Sequence, residues 1–332
     1  MPRRPTATFV LSLDVEFAWG VHDRIDPATI PFARVEEIVD ALLELFDRYE
    51  MPVTWALVGH LLLDGCDRGV EGLPHPEMPR PRHSWLKGDW YRHDPCGPAD
   101  RHPAWYQPQL AKLIRGAAVR HDIGCHGFSH AIIGDRGCDA ATAMAEMEAA
   151  AAVVEGATGI RPTSFVFPRN SVGHLSSLRD SRFRIYRELD RSWMERIPVP
   201  ESVRKPLRII DLLLPTDPPA VVPSEVLPGL WSVPGSMLLT RAEGFRRFIP
   251  ATLRSRKAIA GIEKAIRTGR VFHLWFHPWN LLNHGEIVFE ALDSILAHAG
   301  RRAGEGKLRL ATMADLLPSD ESAGSTEAGA RR

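Results

Sequence analysis

Five consecutive residues, His126-Gly127-Phe128-Ser129-His130, carry the sharpest chemical signal in the chain. Two imidazoles four residues apart can share a helical face or converge across a turn, the spacing a divalent ion needs. The pair follows a run that reads as a strand, Asp122–His126. Because α/β folds place ligands where strands end, ligation is favoured over a surface role, although a chain with 14 histidines offers such pairs by chance. A third ligand is available where the first apolar run, Thr8–Leu13, gives way to Asp14 and Glu16. In extended backbone these acids point to one side. They are costly to bury unless they meet a cation or hydrogen-bond donors. One carboxylate would complete a facial triad with the histidines and the other would act as a base; no helix evident at Phe17 needs an acidic cap. Farther on, His273, Trp275 and His277 share a strand face. His277, at the strand end, is placed like a catalytic group, whereas His273 reads as a core histidine. Arg169 follows a strand and Pro168. It could clamp a carboxylate bidentately, with a capping or surface role as the alternative.

The elements that must position these groups alternate in period. Strands are expected at Thr8–Leu13, Val53–Val58, Asp122–His126, Ser164–Phe167, Phe183–Arg187, Leu230–Val233, Val271–Phe276 and Leu308–Ala311. Helices are expected over the periodic face from Val35 to Tyr49 and over Trp105–Ala118, Asp139–Glu155, Ser255–Arg267, Gly285–Ala299 and Met313–Leu317. Such alternation describes an α/β domain with a mostly parallel sheet or barrel. One segment departs from it: between Asp64 and Pro108 lie eight prolines, four histidines and three tryptophans. So long a loop is functional or a linker, and its aromatics, Trp85 and Trp90 among them, argue for covering the core end or stacking on a ligand such as a sugar ring. Residues 319–332 are small, polar and charged, and read as a disordered tail.

Composition narrows the partners. In 332 residues, 41 Lys+Arg balance 41 Asp+Glu, which argues against a protein that works by neutralising nucleic-acid phosphates. No apolar run suits a signal peptide or a membrane span. The four cysteines show no CxxC spacing, so neither a zinc ribbon nor a disulfide framework is suggested. A cytoplasmic protein with reduced thiols is the expectation.

In this order the pieces resemble the polysaccharide deacetylases of carbohydrate esterase family 4, which have the NodB-homology fold. Ser12–Glu16 resembles the acidic first motif, His126–His130 the H-x-x-x-H motif, and Phe165–Asn170 the Arg/Pro motif. Leu230–Met237 resembles the Trp-containing motif and Leu274–His277 the late Leu/His motif. The likeness spans about residues 8–317. It implies a distorted (β/α) barrel in a single large domain, residues 1–318, with the Pro/His/Trp-rich stretch 64–108 inserted. It further implies a metal-dependent amide hydrolase in which Glu16, His126 and His130 hold Zn2+, Co2+ or another divalent ion. Asp14 is then the base, His277 the acid that protonates the departing amine, and Arg169 the orienting cation. Trp85, Trp90, Trp231 and Trp279 would contact the sugar. The roles of Asp14 and Glu16 can be exchanged. Val15 stands where the family commonly has a second Asp, Val166 falls at its usual Arg, and Trp231 lacks the usual acidic partner. The implied substrate is an N-acylated, most simply N-acetylated, amino sugar of a glycan or its cytosolic precursor. The alternatives are a C–N hydrolase of the same fold acting on a small amide or formyl group, and an inactive glycan-binding relative.

Overall fold

The computed structural model describes residues 7–190 and 216–318. Stretch 319–332, expected to be a tail, lies outside them. Along the chain the regular elements are β1 (Thr8–Val15), α1 (Val35–Arg48), β2 (Thr54–Leu57), β3 (Gly65–Cys66), β4 (Gly97–Pro98) and α2 (Leu110–Gly116). They continue with β5 (Asp122–Cys125), α3 (Ala140–Thr158), β6 (Ser164–Val166), α4 (Leu175–Asp180), β7 (Ile185–Glu188), β8 (Ser224–Leu227), β9 (Leu230–Pro234) and β10 (Met237–Leu238). The last are α5 (Ala251–Thr268), β11 (Val271–Phe276), α6 (Gly285–Gly304) and β12 (Arg309–Ala311). Each strand expected from the pattern is present within a residue or two. The main departure among helices is α2, which starts at Leu110 rather than Trp105. Pro103 and Pro108 flank that stretch, and Pro is at home only in a helix's first turn.

One sheet carries the fold, in the order β10-β11-β1-β2-β5-β6-β7-β9-β8, with β12 also pairing β1. Its pairings are parallel except β8 with β9. The sheet curls: just before β8, Val221 bridges to Val271 at the start of β11, with backbone bonds of 2.7 and 2.9 Å. This is the incompletely closed α/β barrel that the sequence resemblance implies.

Alternation sorts the strand side chains into two layers. On β1, Phe9, Leu11, Leu13 and Val15 join the large outer core, against which the helices lay their apolar faces. Val10 faces inward with Ala56, Val166, Ile185, Val233, Val271 and Met313. On the inward side, two residues at a time, Ser12 and then Asp14 follow Val10, Arg187 follows Ile185, and His273 and Trp275 follow Val271. The curled interior is therefore apolar at the strands' N-terminal ends and becomes polar toward their C-terminal ends.

The 64–108 insertion contains little regular structure beyond the β3–β4 pair and a short 3-10 turn at Ala99–Arg101. It is not a linker, because Trp90, Tyr91 and Tyr106 are fully buried against the body of the fold.

Candidate active site

Strand β1 ends at a sharp turn in which Phe17 takes φ 46°. A 3-10 helix over Phe17–Gly20 begins there after all, but Glu16 makes no side-chain cap to it. The carboxylate turns instead to the histidines, with Glu16 Oε2 2.9 Å from His130 Nε2 and 3.4 Å from His126 Nε2. These three buried side chains bring one ligand atom each within 4.8 Å of the others. His126 Nδ1 donates to the Val166 carbonyl at 2.8 Å, which leaves Nε2 as the free lone pair, the orientation seen when imidazole serves as a ligand. His126 Nε2 and His130 Nε2 are buried without a hydrogen-bond partner, their approach to Glu16 being badly angled for one. Burial pushes His130 below its ordinary pKa, which favours the neutral ring. Burial would raise Glu16, but the His277 and His130 rings beside it outweigh this and hold the carboxyl well below its usual range. An ionised carboxylate and two imidazoles with orphaned nitrogens suit a divalent cation.

The turn that carries the histidines is itself held by Glu146, buried on α3. Its carboxylate accepts from the backbone N–H groups of Phe128 and Ser129 at 2.9 Å each, from Ser129 Oγ at 2.5 Å and from Tyr91 Oη at 3.0 Å. Gly127 and His130 take φ 75° and 61°, conformations that require support in a non-glycine residue.

Asp14 lies beside this cluster but does not join it. Both carboxylate oxygens sit in the guanidinium fork of Arg187, each bond 2.6 Å long. Arg187 also donates to Asn170 Oδ1 at 2.9 Å and to Ser12 Oγ at 3.2 Å, and its guanidinium lies 4.1 Å from the Trp275 ring centre. Burial would raise the Asp14 carboxyl, yet Arg187 prevails and the group titrates below its ordinary value. His277 Nε2 stands 3.9 Å from Asp14 Oδ2 and 3.5 Å from Glu16 Oε1, and is the most exposed of these side chains. Trp279 Nε1 donates to Glu16 Oε1 at 3.2 Å. His273 is fully buried with Nε2 2.9 Å from Ser12 Oγ, and burial depresses its pKa to about 3.

The structure thus brings together Asp14, Glu16, His126, His130, His277 and Trp279. It does not bring Arg169 to Asp14: in a left-handed turn, φ 54°, Arg169 pairs with Asp23 at 2.5 Å and stacks over Trp85 at 5.5 Å. The guanidinium expected at Arg169 is supplied by Arg187, two strand positions above Ile185. Trp90 cannot stack on a ligand, because it is buried and its Nε1 bonds Ser129 Oγ at 3.0 Å. Trp231 packs on the apolar floor, in register with Ile185 at the far end of the strands. Trp85 is exposed, stacks on His83 and donates to Asp135 at 3.1 Å.

A sequence profile described as polysaccharide deacetylase matches residues 26–182. Over that stretch, just under half of the chain, the sequence is similar to the polysaccharide deacetylase family. The matched stretch includes His126 and His130, while Asp14, Glu16, Arg187 and His277 lie outside it. Several solved structures share the fold. A Mycobacterium smegmatis protein provisionally named a polysaccharide deacetylase superposes with TM-score 0.59 at 16% identity over 95% of this chain and 90% of its own. PuuE allantoinase gives 0.58 at 12% over 95% and 90%. A Pseudomonas aeruginosa PAO1 protein, also provisionally named a polysaccharide deacetylase, gives 0.56 at 13% over 93% and 89%. No curated protein sequence matches the chain. Among the described residues no helix is long and apolar enough to cross a membrane.

Proposed function

We propose that this protein is a metal-dependent hydrolase that removes an N-acyl group, most simply acetyl, from an amino sugar of a glycan or its cytosolic precursor. The observation that carries the reading is the convergence of Glu16 with two imidazole nitrogens that have no hydrogen-bond partner, beside a second carboxylate and a third imidazole. Glu16, His126 and His130 would hold the ion, Zn2+ or a similar divalent cation. The chemistry such an ion supplies is polarisation of the acyl carbonyl and acidification of a water.

The chain's own groups divide the proton work. Asp14, kept ionised and fixed by Arg187, accepts the proton of the attacking water. Arg187 lowers the basicity of Asp14 but holds its carboxylate in one orientation. His277, near both acids and open to solvent on one side, delivers a proton to the departing nitrogen. That step is needed because an amide anion is a poor leaving group. Trp279 restrains Glu16 and, next to His277, flanks the acyl position.

The assay is release of acetate or formate from N-acyl sugars, free and carrier-linked, with and without added Zn2+ or Co2+. Release should require the ion, and Asp14→Asn or His277→Ala should each lower the rate by about 10²-fold or more. Metal-independent release, or full activity in both variants, would sink the reading. A second reading, hydrolysis of a small amide or formyl compound, draws support from the tryptophans: among the described residues Trp90 and Trp231 are committed to packing, which leaves a smaller aromatic platform for a glycan. Formate or ammonia release from small amides, with no turnover of sugars, would select it.

A further inference from the structure

A second cluster of metal-ligand side chains lies where the insertion meets the body of the fold. His60 sits on the short helix Gly59–Leu62, whereas Cys66, His75 and Asp94 come from the insertion. One ligand atom from each lies within 4.8 Å of all the others. His60 Nε2 and His75 Nε2 are 2.8 Å apart, Asp94 Oδ2 lies 3.0 and 3.2 Å from them, and Cys66 Sγ lies 3.6 Å from that oxygen. Ligands bound at ordinary zinc distances of about 2.0–2.3 Å in a tetrahedron are separated by about 3.3–3.7 Å, so a few tenths of an ångström of expansion would admit an ion.

We propose that His60, Cys66, His75 and Asp94 form a second divalent-metal site, structural and of the zinc class, that fastens the 64–108 insertion to the fold. The charges balance: a thiolate, a carboxylate and two neutral imidazoles neutralise a doubly charged ion, which makes a buried site affordable. The atoms behind the ligands are arranged accordingly. His75 Nδ1 lies 3.0 Å from Glu77 Oε1, and donation to that carboxylate would leave Nε2 to serve an ion in the cluster. Asp94 Oδ1 is occupied by Tyr106 Oη and the Cys96 N–H at 3.0 Å each, which leaves Oδ2 for the ion. His60 Nδ1 faces the Trp105 carbonyl at 3.4 Å and Trp19 Nε1 at 3.2 Å. The two neighbours demand opposite tautomers, and a cation on Nε2 decides for the one that donates to Trp105.

The consequence for the catalytic face is positional. The backbone N–H groups of Gly59 and His60 bond the carbonyls of Gly127 and Phe128, inside the His126–His130 turn. From the insertion, Trp90 reaches Ser129 and Tyr91 reaches Glu146. A metal here would clamp both supports of that turn. The rival arrangement is a disulfide from Cys66 to Cys96, whose sulfurs lie 2.9 Å apart as free cysteines.

The test uses the full-length protein and cobalt. Co2+-loaded native protein should show a thiolate-to-cobalt charge-transfer band in the near ultraviolet, retained in His126→Ala and lost in Cys66→Ser. Elemental analysis should find two ions per native chain and one in either variant, and denatured native protein should titrate four thiols. Absence of the band from both native and His126→Ala proteins would overturn the proposal, and so would a native chain with only two titratable thiols. Neither readout needs the Cys66 variant to fold. Since the Glu16 site offers no sulfur ligand, a protein inactive on every amide but carrying the band would refute the proposed function and leave this site standing.

Discussion

Replacing Arg187 by Met tests whether a paired charge, rather than packing, governs the floor of the site. Met keeps much of the volume and the contact with Trp275, but removes both 2.6 Å bonds to Asp14 and the bonds to Asn170 and Ser12. Asp14 is then a buried carboxylate without its cation, and breaking such a pair costs about 3–5 kcal/mol near neutral pH. The sign follows from where Asp14 titrates. In the native protein its pKa is depressed by Arg187, despite the opposing pull of burial. It therefore contributes stability above the unfolded value of about 3.9, lost only as pH falls through the folded value. In the variant, burial acts unopposed and the folded value rises above the unfolded one. Stability from this group is then present below about pH 4 and lost as pH climbs through the new folded value, at about 1.4 kcal/mol per pH unit between the two. The gap between native and variant should be about 3–5 kcal/mol at pH 7.5 and contract to about 1–2 kcal/mol by pH 4.5, read from urea unfolding at both pH values. Adding Asp14→Asn to the variant should recover most of the neutral-pH loss, whereas Arg187→Lys should not restore the native value, because an ammonium cannot form the fork. An equal gap at both pH values, or no recovery in the double variant, would refute the reasoning.

Three other outcomes are expected. Glu146→Gln keeps the shape but points an amide at donors that now meet two carboxylate oxygens; it should destabilise the fold by about 1–3 kcal/mol in urea unfolding and weaken metal retention on dialysis. Gly20→Ala would set a methyl group against the Glu16 side chain, so metal content measured by elemental analysis should fall while the unfolding midpoint moves little. Burial depresses His121 to about 4, and its Nδ1 accepts the Val53 N–H at 3.2 Å. The folded pKa lies below the unfolded one, so this contribution is complete above about pH 6.5 and is lost as pH falls toward 4. Native protein should therefore lose about 2 kcal/mol relative to His121→Gln between pH 7.5 and pH 5.

Much of this was legible in the residue pattern, and the reason is local. Strand β1 announces itself by an apolar run, and its two acids by their price in such a run, which is an argument about one strand. The same argument applies to Arg187, inward-facing after Ile185, but its charge reads as an ordinary strand end until β7 is set across the interior from Asp14. Arg169 looked better placed because it follows a proline near a family motif; the turn at Pro168 instead swings it outward to Asp23. Aromatic content showed that 64–108 packs on something, but composition carries no direction, and Trp90 turned inward. The His60–Asp94 cluster was invisible for a similar reason. Its spacings are irregular, and only the folded insertion gives them a common centre.

The pairing of β1 has a consequence for biosynthesis. Thr8–Leu13 leaves the ribosome first among the described strands, yet it pairs Val271–Phe276 along one edge and its first residues pair Arg309–Ala311 along the other, both among the last strands to emerge. A nascent chain must keep this largely apolar strand from aggregating until nearly all of the protein has emerged, a demand typical of high contact order. The donor atoms of Glu16 and His277 come from opposite ends of that wait. Onset of the proposed activity should therefore follow the pairing of β11, and a truncated product ending before β11 should have neither the fold nor that activity.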